Sequence, residues 1–254
     1  MAKVKIVILA AGKGKRLEAL GLNVPKPLIP IHGKPMIRHL LDAVREAGVD
    51  NAPTLVIAPD NEQQFREVLA DTGCQFVIQN EQLGTGHAAM TAREQFDGAD
   101  HVMILYGDHP TVSATTIRRL AEEHEKSGGV LTLATVTFPD FEGWRQWFYN
   151  FGRIVRDGAG NISRIVELKD TTEEEKAITE LNPAYMIFRR DWLCDHFDQL
   201  TTDNVQKEYY LTDLVELAVS EHQPIHSILI EDPIEAIGIN TPEQLSAAEE
   251  ALSQ

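Results

Sequence analysis

The chain has 254 residues, 43% of them hydrophobic and 24% charged, and a formal net charge of −16. That length can bury one substantial core, no apolar run approaches the roughly 20 residues of a membrane span, and the acidity argues against tracking a nucleic-acid backbone. Two cysteines, Cys74 and Cys194, cannot form a disulfide framework or a four-cysteine zinc site, and reduced buried thiols of a cytoplasmic protein are expected.

The charge is unevenly spread. Seven of the 23 basic residues (Lys3, Lys5, Lys13, Lys15, Arg16, Lys26 and Lys34) fall within residues 1–34, against Glu18 alone of the 39 acidic ones. A basic patch in a repelling body suits a small polyanion held at one place, with a solvated basic face as the bland alternative.

VKIVILA (4–10) follows the N-terminus without a small-residue cleavage site, so a secretory signal is not expected, and its unbroken apolar run predicts a buried strand. It stops in Ala10 and Ala11, and Gly12 and Gly14 then alternate with Lys13, Lys15 and Arg16. Glycines let phosphate approach backbone N–H groups, and fixed cations neutralise it. A dinucleotide turn would need a third glycine where Leu17 stands, and the Walker pattern is absent. An ordinary glycine turn explains the glycines but leaves the interleaved bases unexplained.

PMIRHLLDAVREAG (35–48) sets Met36, Ile37, Leu40, Leu41 and Val44 on one helical face, with Gly48 as its stop. A strand at 54–58, a polar helix over 62–72, a strand at 74–79, a helix from about 87 and the strand HVMILYGD (101–108) follow. Ser113 to Gly128 predicts a helix and 130–138 another strand. Alternating strands and helices make βαβ units with right-handed crossovers. The expected class is therefore α/β, a Rossmann-like mixed, mostly parallel sheet flanked by helices. Ligands sit at the carboxyl ends of such strands, which singles out the loops 10–16, 80–86 and 107–111.

Beyond residue 138 the pattern changes. Residues 139–151 are aromatic and irregular, 152–167 read as a hairpin turned at Asp157-Gly158 or Gly160-Asn161, and 207–222 are helical in pattern. Thr241-Pro242-Glu243-Gln244 opens a last helix with a capping box. No linker marks a second unit. A single domain over 1–254 is expected, its first half about 1–138, an acceptor half about 139–240, and a C-terminal helix over 241–254.

LAAGKGKRL (9–17) with PKPLIPIHGKPM (25–36) resembles the opening of the sugar-1-phosphate nucleotidyltransferases. QNEQLGTGHA (79–88), LYGD (105–108), GRIVRD (152–157), IVELKD (165–170) and EYYLTD (208–213) are similar, in the same order, to one branch of them. That branch is the N-acetylglucosamine-1-phosphate uridyltransferase domain of the bifunctional bacterial enzyme that makes UDP-N-acetylglucosamine. The β-helix acetyltransferase domain of that enzyme finds no matching sequence here. The resemblance implies a cytoplasmic enzyme whose partners are UTP and a sugar 1-phosphate, with Mg²⁺ as cofactor and neither nucleic acid nor membrane as partner.

It also implies roles. Arg16 would hold the pyrophosphate, Lys26 would bridge the reacting phosphates, and Asp108 would be catalytic through its metal. Ala10, Ala11, Gly12, Lys13 and Gly14 would cradle the triphosphate. Gln79 and Gly84 would read the uracil edge with Thr85 beside them, and Tyr106, Gly152, Glu167 and Asn182 would contact the sugar. Asp108 and Asn240 would be the metal ligands, hard oxygens suited to Mg²⁺. His87 is expected as a helix-start residue without chemistry.

Three departures stand out. Lys15 replaces the usual Thr or Ser, Pro183-Ala184 replaces Thr-Gly after Asn182, and the segment before Gly152 is longer and aromatic. That segment, 138–151, is expected to pack on the body, to cover the sugar as a lid, or to form a face between subunits. An acceptor other than N-acetylglucosamine 1-phosphate, dTTP in place of UTP, and a silent nucleotide-sugar-binding domain are the alternatives.

Overall fold

The computed structural model describes residues 2–12 and 24–253. Strand β1 (Val4–Leu9) is central. Its side chains alternate between two cores, Ile6 and Ile8 on one face and Val7 and Leu9 on the other. Such a strand must be covered on both sides, which is why its sequence is apolar without a break.

A short hairpin, β2 (Pro30–Ile31) and β3 (Lys34–Pro35), turns at His32 and Gly33, both with positive φ. Helix α1 (Met36–Ala47) buries the five apolar residues of its predicted face and stops at Gly48, left-handed at φ 69°. Then come β4 (Thr54–Ile57), α2 (Glu62–Val68), β5 (Gln75–Ile78), α3 (Thr85–Thr91) and β6 (His101–Tyr106). Helix α4 (Ala114–Ser127) is capped by Ser113, whose hydroxyl accepts from Thr116 N, and precedes β7 (Leu131–Thr137).

The second half builds onto the same sheet. The hairpin β8 (Gly152–Arg156) and β9 (Ile162–Val166) closes through Asp157 N bonded to Asn161 O, so the turn spans both predicted sites, with Gly160 left-handed at φ 86°. Next come α5 (Glu173–Lys176), β10 (Glu180–Asn182), β11 (Met186–Arg189), α6 (Arg190–His196), α7 (Asp213–Ser220), β12 (Ile225–Leu229) and α8 (Pro242–Ala251).

The strands order as β5-β4-β1-β6-β11-β7-β10-β8-β9, with β12 on β7. Strands β1, β4, β5 and β6 are parallel to one another, and β12 is parallel to β7. Only β9, β10 and β11 run against the rest, which makes the sheet mixed and mostly parallel, as expected. Helices α1, α4 and α8 supply one core, and α3, α6 and α7 the other.

Three elements are shorter than their patterns or shifted from them. Helix α2 ends at Val68 and not 72, because Thr72 and Gly73 turn the chain into β5, Gly73 at φ 72°. Helix α3 begins at Thr85, two residues before the predicted start. Helix α7 covers 213–220 and not 207–222, since Lys207 at φ 56° cannot continue a right-handed helix.

Candidate active site

The loops after β1, β5 and β6 meet at the carboxyl edge of the sheet. Ala10 N donates to Val56 O and carries the β1 ladder one residue past the strand. Ala10 and Ala11 are buried, while among the described residues a side chain at Gly12 would meet nothing within 4 Å. Lys13, Gly14 and Arg16 lie outside the described residues. Gln82 Nε2 donates to Ala11 O at 2.6 Å, tying the second loop to the first.

Lys26 sits between Pro25 and Pro27 in a 3-10 turn closed by Leu28 N to Pro25 O at 2.8 Å. Fixed proline φ angles stiffen this turn. Its ammonium ion-pairs with Asp108 and donates to Asn240 Oδ1 at 2.8 Å. Residues 26, 108 and 240 are thereby brought to one point. Burial pushes the Asp108 carboxyl up, but the Lys26 charge, His109 and the hydrogen bond from Lys26 outweigh it, so its pKa lies below the ordinary value.

The segment carrying Asn240 is fastened to the loop after β6. Ile239 N donates to Asp108 O at 3.0 Å, Thr111 Oγ1 to Ile234 O at 2.7 Å, and Ser113 N to Glu235 Oε2 at 2.9 Å. Tyr185 OH donates to Glu235 O at 2.6 Å, so its oxygen receives the Nδ1 proton of buried His109, 2.8 Å away. Any Cβ at Gly238 would lie 2.8 Å from His109 Nε2, which explains the glycine. Asn240 Nδ2 donates to Gly238 O at 3.1 Å, which fixes Oδ1 as the atom facing Lys26. Asn240 N donates to Gln244 Oε1 at 2.6 Å, so the capping side chain of α8 also sets this loop.

In the second loop, Gln79 is 3% exposed. Its Nε2 lies 3.3 Å from Gly84 O and 3.0 Å from His87 Nδ1. Gly84 adopts φ 114°, and a Cβ there would lie 2.5 Å from Tyr209 O, so only glycine fits. Tyr209 N donates to Leu83 O and Gly86 N to Tyr209 O, both at 2.8 Å, while Thr85 Oγ1 accepts from Leu211 N at 3.0 Å. The EYYLTD segment thus clamps the loop. His87, expected to be without chemistry, is part of this arrangement, as is Tyr209. Their signal lies in the juxtaposition of two motifs about 120 residues apart, which one chain read alone does not show.

The third group forms across β10, β8 and β9. Asn182 pairs with Gly152, and a Cβ on Gly152 would come within 3.4 Å of Glu167 Oε1. Thr212 Oγ1 donates to Glu167 Oε1 at 3.1 Å, a partner the sequence reading missed. Burial raises the Glu167 carboxyl above its usual range. Tyr106 is pushed far up by burial and by the charges of Glu167 and Asp108, which places its hydroxyl in the field of both carboxylates. Asn182 Oδ1 accepts from the N–H of Ala184, which is left-handed at φ 68°. The Gly-to-Ala departure therefore falls where glycine is relaxed and alanine is strained.

The aromatic segment packs against the body and reaches the site's edge. Residues Gly143–Phe148 form a 3-10 turn. Phe138 and Phe148 are buried with ring centroids 4.6 Å apart, and Phe151 lies 6.3 Å from the His109 ring. Arg153 is fully buried, its guanidinium 5.1 Å from the Phe141 ring and 5.0 Å from Tyr149, and it donates to the carbonyls of Tyr149 and Phe151. Trp144 remains 46% exposed.

Among the described residues no group of three His, Cys, Asp or Glu side chains could hold a metal ion. Asp108 and Asn240 offer two hard oxygens, and the Lys26 ammonium that both contact shows that they converge on a single positive charge. Two such donors suit a cation whose other ligands come from phosphate and water.

Residues 6–212 match the MobA-like NTP transferase domain. The chain is 39% identical over 248 residues to the bifunctional protein GlmU of Desulfotalea psychrophila, covering 97% of this chain and 70% of that protein. It is 40% identical to that of Trichlorobacter lovleyi and 41% to that of Cupriavidus taiwanensis, spanning 53% and 51% of their lengths. A solved structure described as a glucose-1-phosphate thymidylyltransferase of Bacillus anthracis, in complex with sucrose, shares the fold. Its TM-score is 0.74 at 17% identity, over 97% of this chain and 94% of that one.

Proposed function

Because this chain belongs to the MobA-like NTP transferase family, we propose that it joins UTP to an amino-sugar 1-phosphate, giving a UDP-sugar and pyrophosphate. The likeness to GlmU proteins favours N-acetylglucosamine 1-phosphate as acceptor. One observation carries the reading: Asp108 and Asn240, far apart in sequence, turn two side-chain oxygens onto the one ammonium of Lys26. A binding-only domain has no need of paired oxygen donors there.

In this reaction an oxygen of the sugar phosphate bonds to the α-phosphorus of UTP while the bond from that phosphorus to the bridging oxygen breaks and pyrophosphate leaves. No protein nucleophile is needed, so positioning and charge neutralisation supply the rate. Lys26 neutralises the reacting phosphates, and the Gly12 backbone takes the triphosphate. Asp108 and Asn240 would hold Mg²⁺, which supplies neutralisation of charge on the phosphates when bound. Gln79 and Gly84 take the base, and Tyr106, Gly152, Glu167 and Asn182 the sugar. The phosphate roles of Arg16, Lys13 and Gly14 belong to the same proposal. UTP is a cytoplasmic metabolite, which sets the compartment.

Pyrophosphate release measured over a panel of nucleoside triphosphates and sugar 1-phosphates with Mg²⁺ tests this. UTP with N-acetylglucosamine 1-phosphate is expected to be best, and Asp108→Asn to cut kcat about 100-fold or more. Release with glucose 1-phosphate or with dTTP instead reassigns the substrates. No release with any pair, or full activity in Asp108→Asn, overturns the proposal.

A further inference from the structure

Under the proposed function, on which the role of its neighbour His87 rests, the amide of Gln79 reads the base. The orientation of that amide is set by a side chain the proposed reaction leaves idle. A carbonyl oxygen only accepts, so the Gln79 atom 3.3 Å from Gly84 O is the Nε2 donor. The same nitrogen lies 3.0 Å from His87 Nδ1. An amide hydrogen directed there requires Nδ1 to accept, which leaves the ring proton on Nε2. Both hydrogens of the amide are thereby used. Among the described residues no donor meets Gln79 Oε1, and the Gly84 N–H donates to none.

The remaining groups, one acceptor and one donor, have a definite polarity. Uracil and thymine present a donating N3–H beside an accepting O4. Cytosine presents the reverse, an accepting N3 beside a donating amine. With the amide as found, the first pair is matched and the second meets acceptor with acceptor and donor with donor. Turned over, the amide would face cytosine correctly, and the two anchors on Nε2 are what oppose that turn.

Of these anchors the Gly84 carbonyl is the longer contact, and its loop is held by the backbone of Tyr209. The imidazole is the shorter one, and its ring is stacked on Tyr209 at 6.4 Å and 29°. We propose that His87 is a positioning residue for base choice: its unprotonated Nδ1 locks the Gln79 amide with Oε1 towards the nucleobase and so selects uracil or thymine over cytosine.

The test measures binding of UTP and CTP by calorimetry, and kcat/KM for both, in wild type and in His87→Phe and His87→Asn. Phenylalanine keeps the stacked ring and removes the acceptor, whereas asparagine can place an oxygen near the position of Nδ1. His87→Phe is expected to reduce the preference for UTP over CTP about tenfold with an unchanged KM for the sugar phosphate. His87→Asn is expected to restore most of that preference. His87→Ala gives the same reading should the phenylalanine disturb the start of α3. Equal weakening of UTP and CTP, or an unchanged ratio, overturns the role of His87 while the proposed reaction stands. A wild type that binds UTP and CTP alike overturns both this role and the assigned base. Preferential UTP binding without pyrophosphate release overturns the reaction alone, and the binding ratios then still decide on His87.

Discussion

Lys26 carries a charge that Asp108 neutralises in the free protein, with a hydrogen bond to Asn240, and that the reacting phosphates neutralise in the proposed complex. Lys26→Ala is therefore expected to lower kcat more than it raises KM, since the charge counts most where negative charge gathers. A change confined to KM in steady-state kinetics would make it a ground-state anchor. The pair also has a pH signature. The folded Asp108 carboxyl titrates below its unfolded value, so its stabilisation is present above the ordinary carboxylate range and is lost as pH falls through the lowered folded value. Asp108→Asn is expected to be destabilised by roughly 2 kcal/mol at neutral pH, with the charge partner of Lys26 removed. That gap should close in acid-range denaturation curves, and a gap that persists there sinks the account. Ala184→Gly is expected to gain about 1 kcal/mol by relieving a left-handed alanine, or roughly 2–4 °C in Tm. Single-residue legibility followed the strand ends. The placement of Asp108 at the sheet's carboxyl edge was readable because a buried strand ends just before it, at Tyr106, whereas the left-handed backbone of Gly84 was not. Thr212 and Tyr209 were not, since what they touch is fixed by another part of the chain.

Helix α7 begins on a carboxylate that its surroundings resist. Burial, with Glu216 and Asp170 close by, raises Asp213 to about 6. The unfolded residue loses its proton first, near the ordinary value of about 4. Stability is thus fully present below that value and is lost as pH rises towards 6. Asp213→Asn is expected to flatten the pH dependence of Tm between these values and to add about 1 kcal/mol at pH 7, a figure discounted for the carboxylate's partial exposure. A helix N-terminus ordinarily favours an acid, so an unaltered or lower Tm would show that favour prevailing over burial and repulsion. Elements of this length also set the limit of sequence reading. α1 and α4 were legible because several turns of apolar periodicity end in a glycine stop, whereas β10 has three residues and α5 four, too few to show a period. The aromatic segment was legible as buried mass but not as a 3-10 turn, because rings three and four apart fit either helix.

Across the whole molecule, that segment separates packing from assembly. Phe148 is 1% exposed and Trp144 46%. Phe148→Ala is expected to cost about 3–5 kcal/mol, while Trp144→Ala should cost under about 1 kcal/mol and leave the mass by light scattering unchanged. A fall in mass for Trp144→Ala would instead make the segment a contact between subunits, and a loss of acceptor affinity at constant mass would make it a lid. The sheet's first half was readable as a whole because it repeats one unit, strand then helix. The return of β10, β11 and β12 to β7 was not, since three strands join one neighbour from distant places in the chain. Distance along the chain also orders events in time. The contact from Lys26 to Asn240 spans 214 positions, so the centre at Lys26 closes only after Asn240 has been synthesised and its segment has docked on the edge of a sheet already formed. Long-range closures of this kind come late in folding, and a nascent chain that already holds the phosphate loop and the base loop is still inert.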